Sequence, residues 1–286
     1  MKTAFIDTSI ISECSRQNIT AKILGGILTA KKLTPVIGIY LTYEIARNIV
    51  TNNPDKASQL FSFIHDLKPE FSRSRDDLYT MEAQKLKTDD PVDYMLTNQI
   101  KILLLKRIDD YCNGKFDQTH EDFIRIRQDG LKASRQAWQP INDGKIHKKY
   151  KHNFNMFIND FFSSLKYNPK KMAWVRMVIL IATEQKIILT DKEIIKFIEN
   201  LTAYPALRSL IYTHIYLEFL TETNNAIPAE DRFTDALVMI EGSYCSIIAS
   251  NDESFMRNHA KNINPHIETI TLKQLLVTVR ADIIPA

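Results

Sequence analysis

Four carboxylates stand out in this chain of 286 residues because of what surrounds them: Asp7, Glu44, Asp235 and Asp252. Asp7 ends the apolar run at residues 3–6, where Asp7-Thr8-Ser9 stops it with types suited to a turn or a helix start. Glu44 lies in the first turn of a helix that follows a second β-branched run, and Asp235 lies on a helix near the end of the chain. Asp252 follows Ser250-Asn251, just past the apolar run at 246–249. If those runs are neighbouring parallel strands, the acids converge at one sheet edge. Converging carboxylates repel one another and call for a hard divalent cation, Mg²⁺ or Mn²⁺, bound through oxygen. One or two such ions, about 3.5–4 Å apart when paired, can hydrolyse a phosphodiester with water as nucleophile, and no His or Cys nucleophile is needed.

The elements that would position these acids read as β-α-β-α at the start: a strand at 3–6, a helix at 19–31, a strand at 36–40 and a helix from Thr42. The end resumes the pattern with a helix at 231–242, a strand at 246–249, a helix after Ser250 and a strand at 267–270. This predicts an α/β fold: a small, mainly parallel sheet of four or five strands with flanking helices. Between the two ends, from about 54 to 223, the periodicity is helical and no convincing strand is found; examples are 95–111, 154–165, 172–188, 192–201 and 207–220. The expected organisation is an α/β core from residues 1–66 and 225–286 carrying a large all-helical insertion or lobe at 67–224. Only seven glycines occur, which suits a helix-dominated chain.

The stretches Phe5-Ile6-Asp7-Thr8-Ser9, Leu41-Thr42-Tyr43-Glu44-Ile45, Asp235-Ala236-Leu237-Val238 and Ile247-Ile248-Ala249-Ser250-Asn251-Asp252-Glu253-Ser254-Phe255, taken in order, resemble the PIN-domain nuclease family. The family pattern is D-T/S-N/S after the first strand, E in the next helix, D-a-l-i on a later helix and T/S-x-D-x-x-F after the following strand. Asp235 and Asp252 stand 17 positions apart, as that family shows. The resemblance covers residues 1–65 and 225–280, and Ser9 stands where Asn is commoner. It implies a metal-dependent endoribonuclease, a hydrolase that cleaves single-stranded or structured RNA with Mg²⁺ or Mn²⁺. Asp7, Asp235 and Asp252 would ligate the metal, Glu44 would position water or a second ion, and Ser9 and Ser250 would support the site.

Plainer readings stand beside these. Asp7 is also suited to capping a helix, and Ser250 to Glu253 matches the S-x-x-E capping box. Thr190-Asp191-Lys192-Glu193 imitates the apolar-then-acid pattern and is read as a structural capping box. Asp231 shares a helix face with Asp235 and is read as a helix cap ahead of a fifth ligand or a water-orienting residue. Residues 145–176 hold eight Lys or Arg against the single acid Asp160. Lys145, Lys148, Lys149, Lys151, Lys170 and Lys171 are therefore candidates for gripping nucleic-acid phosphates. Tyr150, Phe154, Tyr167 and Trp174 among them could stack on bases or fill a core.

Composition excludes several classes. With 44% hydrophobic and 25% charged residues and a net charge of +3, the chain is globular in type, and its total charge selects no partner. Cys14, Cys112 and Cys245 form no C-x-x-C pair, so a disulfide framework is not expected and a cytoplasmic setting is. The sequence shows no membrane span, no H-E-x-x-H helix and no Gly-rich phosphate loop, and His147 and His152 are assigned no metal. The partners expected are RNA first and DNA second; a homodimer and an inhibitory protein of the antitoxin kind, which would make this a toxin-like or defence nuclease, stay open. A structure-specific DNA nuclease and a non-catalytic RNA-binding or scaffold protein are the remaining alternatives.

Overall fold

A computed structural model describes residues 2–50, 53–116, 122, 125, 149–150, 153–224 and 230–280. Its centre is a five-stranded sheet in the order β3-β2-β1-β4-β5, from β1 Lys2–Ile6, β2 Leu33–Ile37, β3 Glu70–Phe71, β4 Ile247–Ala249 and β5 Glu268–Ile270. Every pair is parallel. Strand β1 pairs with β2 through Phe5 opposite Val36 and with β4 through Ile6 opposite Ala249. The chain builds outward from β1 to β2 and β3, then returns to the other side of β1 for β4 and β5. The order therefore reverses between β1 and β4, the position where open parallel sheets place their functional groups beyond the strand ends.

The helices are α1 Thr8–Arg16, α2 Ala21–Ala30, α3 Ile39–Val50, α4 Pro54–Leu67, α5 Arg75–Thr88, α6 Asn98–Cys112, α7 Phe154–Leu165, α8 Pro169–Ala182, α9 Asp191–Glu199, α10 Pro205–Asn224, α11 Glu230–Glu241, α12 Ala260–Ile263 and α13 Leu272–Arg280. Thr190 and Glu193 form the reciprocal capping box expected at the start of α9. Two local expectations are corrected, and the helix expected after Ser250 takes a broken form. The second strand ends at Ile37, not residue 40: Gly38 breaks it, and Ile39 and Tyr40 already belong to α3. A strand, β3, lies where none was expected, and its two residues are too few to carry an alternation signal. After Ser250 the chain enters a π-type turn, Glu253–Arg257, before the short α12.

The sheet alternates strictly. Ala4, Ile6, Ile37, Ile247 and Ala249 face one buried cluster, with residues of α1, α2, α4, α6 and α13. Phe5, Val36 and Ile248 face the other, with residues of α5, α7, α8, α9, α10 and α11. Successive strand side chains point to opposite faces, so a sheet covered on both sides reads as continuous apolar runs. The helices of the middle region thus share their core with the sheet itself.

Two buried glutamates fasten that packing. Glu82 of α5 accepts from the Ala206 and Leu207 N–H groups at the start of α10 (2.9 and 2.7 Å) and from the Tyr244 hydroxyl (2.6 Å). A carboxylate there satisfies amides that helix geometry leaves without partners. Glu241, at the end of α11, accepts from the Tyr40 N–H in the first turn of α3 (2.8 Å). Burial pushes these carboxyls up, Glu82 to about 7 and Glu241 to about 8, against the backbone amides that favour ionisation.

The approach of Glu241 requires Gly38: a Cβ there would stand 2.0 Å from Glu241 Oε2 and 2.8 Å from Phe5 Cζ. Gly26, inside α2, has nothing within 4 Å of that position. Gly38→Ala is therefore expected to lower unfolding free energy by about 1–3 kcal/mol through overpacking. Gly26→Ala should raise it by roughly 0.5–1 kcal/mol through helix propensity. Urea titration of both variants against the parent checks the pair; equal effects would show that Gly38 is not held by close approach.

Candidate active site

Asp7 follows the last residue of β1, and its N–H donates to the Ala249 carbonyl of β4 (3.0 Å), so the backbone delivers it to the point where the strand order reverses. Its side chain is 8% exposed. It occupies the N-cap position of α1 without making a side-chain capping bond. Instead two hydroxyls converge on Oδ2: Ser9 at 2.5 Å from the first turn of α1 and Ser250 at 2.8 Å from the end of β4. The two hydroxyl oxygens are 3.4 Å apart. Burial pushes the Asp7 carboxyl up, and the Ser9 and Ser250 hydroxyls work against that shift by donating to the ionised form.

The same serines order the next stretch. The Ser9 hydroxyl accepts from the Asn251 N–H (3.0 Å), and the Ser250 hydroxyl accepts from the Asp252 N–H (3.0 Å). Asp252 is thereby tied to Asp7 through one side chain, Ser250, and both lie on the same rim of the sheet. Ser250 does not start a capping box, because its N–H donates to the Ile270 carbonyl (2.9 Å) while Glu253 pairs with Arg257.

Glu44 projects from the second turn of α3 and accepts from the Thr8 hydroxyl, the residue after Asp7. Burial pushes its carboxyl up, and the charge of Asp7 adds to the rise, while Arg47 one turn along α3 lowers it. Two acids far apart in sequence are therefore close enough to feel each other. Asp235 sits on α11, which packs against α3 and against the turn Glu253–Arg257. From the junction between Glu241 and Tyr40, Asp235 lies six residues back along α11 and Glu44 four residues on along α3. At 1.5 Å per residue, this is about 9 and 6 Å from that junction.

Asp7, Ser9 and Ser250 are thus joined directly, Glu44 is coupled to Asp7, and Asp252 enters through its backbone. Among the described residues no three His, Cys, Asp or Glu side chains are gathered closely enough to hold a metal ion. The expected three-carboxylate set of Asp7, Asp235 and Asp252 is not drawn together as one cluster. Sequence reading missed Thr8 and Arg47. Thr8 had a signal in its place between Asp7 and Ser9, and Arg47 had one in its three-residue spacing from Glu44.

The other expected residues fall as follows. The side chain of Asp231 and residues Lys145, Lys148 and Lys151 lie outside the described residues. Lys149 donates to Asp160 (2.7 Å) and Lys171 to Ser164 (2.6 Å), so both make contacts within the chain. Lys170 is exposed on α8. Tyr150 and Phe154 are core residues, whereas Tyr167 is 77% exposed. Among the described residues no helix is long and apolar enough to cross a membrane.

The raised Asp7 carboxyl fixes the sign of a stability test. A folded value above 3.8 means that its contribution is fully present below that pH and is lost as pH rises through the folded value. Asp7→Asn should therefore melt above the parent at pH 8 in chelator, and the gap should close as the pH falls below 4. A variant that melts below the parent at pH 8 would show that the Asp7 charge stabilises the fold.

Comparison with known proteins leaves the geometry to stand by itself: no family model, no curated protein and no solved structure matches this chain.

Proposed function

We propose that this chain is a Mg²⁺- or Mn²⁺-dependent endoribonuclease with a PIN-like α/β core at residues 1–66 and 225–286, carrying the helical region 67–224 as an insertion. The observation that carries the proposal is the recessed Asp7 carboxylate at the β1–β4 crossing point, hydrogen-bonded by Ser9 and Ser250 and coupled to Glu44. A recessed acid whose charge raises a second recessed acid is a costly arrangement for stability alone, and such perturbed carboxyls cluster at functional sites.

The donor chemistry fits a hard divalent cation. Asp7, Glu44, Asp235 and Asp252 offer oxygen alone, and the side chains bonded to Asp7 are the hydroxyls of Ser9 and Ser250. Both hydroxyls land on Oδ2, which fixes the plane of the carboxylate as an outer shell fixes a ligand. Asp7 would hold the ion from the end of β1; Asp252, from the end of β4, and Asp235, from α11, would have to close on it, because the three are not gathered as a ready-made ligand group. When bound, the ion supplies Lewis acidity at the scissile phosphate and lowers the pKa of the attacking water.

The remaining steps belong to the chain. Glu44, oriented by the Thr8 hydroxyl on its Oε2, would accept the proton leaving the water. Its raised carboxyl makes it a stronger base than an exposed glutamate, closer to the neutral range where proton transfer is efficient. Ser9 and Ser250 orient Asp7 and favour its ionised form against burial, and the Ser250 contact sets the backbone from which Asp252 projects.

Incubation of the pure protein with RNA, single-stranded DNA and branched DNA tests this. RNA should be cut internally with Mg²⁺ or Mn²⁺ and not in chelator. Asp7→Asn should lower the rate by on the order of 1,000-fold, and Ser250→Ala by about 10–100-fold, as loss of an outer-shell contact does. Cutting that persists in chelator or in Asp7→Asn would refute the assignment, and a preference for branched DNA would move the substrate class.

A further inference from the structure

Resting on the nuclease reading, we infer that the substrate is a single RNA strand laid through a groove made of two clefts that meet at Asn251, held by its phosphates on both sides of the cut. The first cleft, about 500 Å³, opens between α1 and α4 and runs from Ser9 past Ser12 and Ser15 to Arg16, Lys56 and Gln59. The second, about 810 Å³, lies between the turn Glu253–Arg257 and α13, bordered by Arg257, Thr271, Lys273 and Gln274.

Asn251 lines both clefts, and it is fixed at that junction. Its N–H donates to the Ser9 hydroxyl (3.0 Å), and its Oδ1 accepts from the Leu272 N–H at the start of α13 (3.1 Å). The Ser9 hydroxyl is the same group that donates to Asp7, and Asp252 is the next residue. None of the four acids lines a cleft wall; Asp7 lies directly behind Ser9 and Asp252 follows Asn251, so a strand crossing Asn251 runs beside the acid rim with cations beyond it in each direction.

The walls are mixed: Glu13 and Glu253 stand beside the cations and Leu60 and Val277 are apolar, with polar groups between them. Hydroxyls and amides on both walls offer hydrogen bonds to phosphate and ribose, and among the described residues no aromatic side chain lines either cleft. Such contacts position a strand without reading its bases. Arg16 and Arg257 are each paired with a glutamate on their own turn, Glu13 and Glu253. Each pair has one partner well exposed to solvent, Arg16 in the first and Glu253 in the second, and such solvent-screened pairs are weak, so the guanidinium can turn to a phosphate that accepts two parallel hydrogen bonds. Asp7 is buried and Glu44 is partly buried, so the reactive phosphate must dip toward them, which a flexible single strand can do and a rigid duplex cannot. A strand gripped on both sides of the cut needs no chain end.

This track is distinct from the basic stretch at 145–176, where Lys149 and Lys171 are bonded within the chain. The two positions make opposite predictions. Binding of a fluorescent 12-nucleotide oligouridylate, read by anisotropy in chelator so that nothing is cut, separates them. Lys56→Glu and Lys273→Glu are both exposed changes, one in each cleft, and each should raise Kd on the order of tenfold. Each should also lower the slope of log K against log salt by roughly 0.7, the single-strand value per phosphate contact. Lys192→Glu on α9 is the neutral control. Loss of binding in Lys170→Glu with Lys56→Glu and Lys273→Glu unchanged would overturn the groove, as would tighter binding of duplex than of single strand.

A circular single-stranded RNA gives the second readout. Cleavage of the circle at a rate near that of the linear strand is expected, and a requirement for an end would overturn the two-sided grip. If cutting depends on Asp7 but ignores Lys56 and Lys273, the groove fails and the nuclease stands. If Lys56 and Lys273 control binding while no divalent ion supports cutting, the nuclease fails and the groove stands.

Discussion

Burying a carboxylate is unfavourable unless its hydrogen bonds are replaced, and the candidate site is organised around how that is done for Asp7. Two hydroxyls supply the replacement, one from the helix after β1 and one from the end of β4. Because those hydroxyls also accept from the Asn251 and Asp252 N–H groups, a single charge at the end of the central strand fixes the local backbone of both partners. Moving β4 by one residue relative to β1 would turn Ser250 to the other face and leave the buried carboxylate without its donor from β4. The register of the two strands and the chemistry of the rim are one constraint.

The helical region is bound into the same structure by the same means. Glu82 satisfies the start of α10, and Glu241 satisfies the start of α3, the helix that carries Glu44. Gly38 leaves the space that Glu241 needs beside Phe5. The position of Glu44 is thus set partly from α11, the element that also carries Asp235. The middle helices bury Phe5, Val36 and Ile248, so their removal would strip one face of the sheet.

Much of this was legible in the sequence, for identifiable reasons. The parallel sheet could be inferred because buried strands read as short apolar runs ended by Asp7 or Ser250, and the capping box at Thr190 because its partner is three residues away. Strand β3 could not, since two residues have no period, and β2 was displaced because Ile39 and Tyr40 look β-like while Gly38 ends the strand. At the site, Asp7, Ser9 and Ser250 could be named because each adjoins a strand end. The role of Asn251 as the junction of two clefts, and the buried placement of Glu241, depend on contacts more than 20 and 200 residues away along the chain, between α13 and β4 and between α3 and α11. No local pattern records such contacts.

The central claim is that the rim at the β1–β4 crossing is a divalent-cation site. Anomalous diffraction at the manganese edge from crystals of this protein soaked in Mn²⁺ tests it most directly. The account predicts a peak within ligand distance, about 2.0–2.4 Å, of an Asp7 carboxylate oxygen, with Asp252 or Asp235 among the other ligands and no comparable peak in Asp7→Asn crystals. Full manganese occupancy elsewhere with none at Asp7, or an unchanged peak in Asp7→Asn, would contradict it.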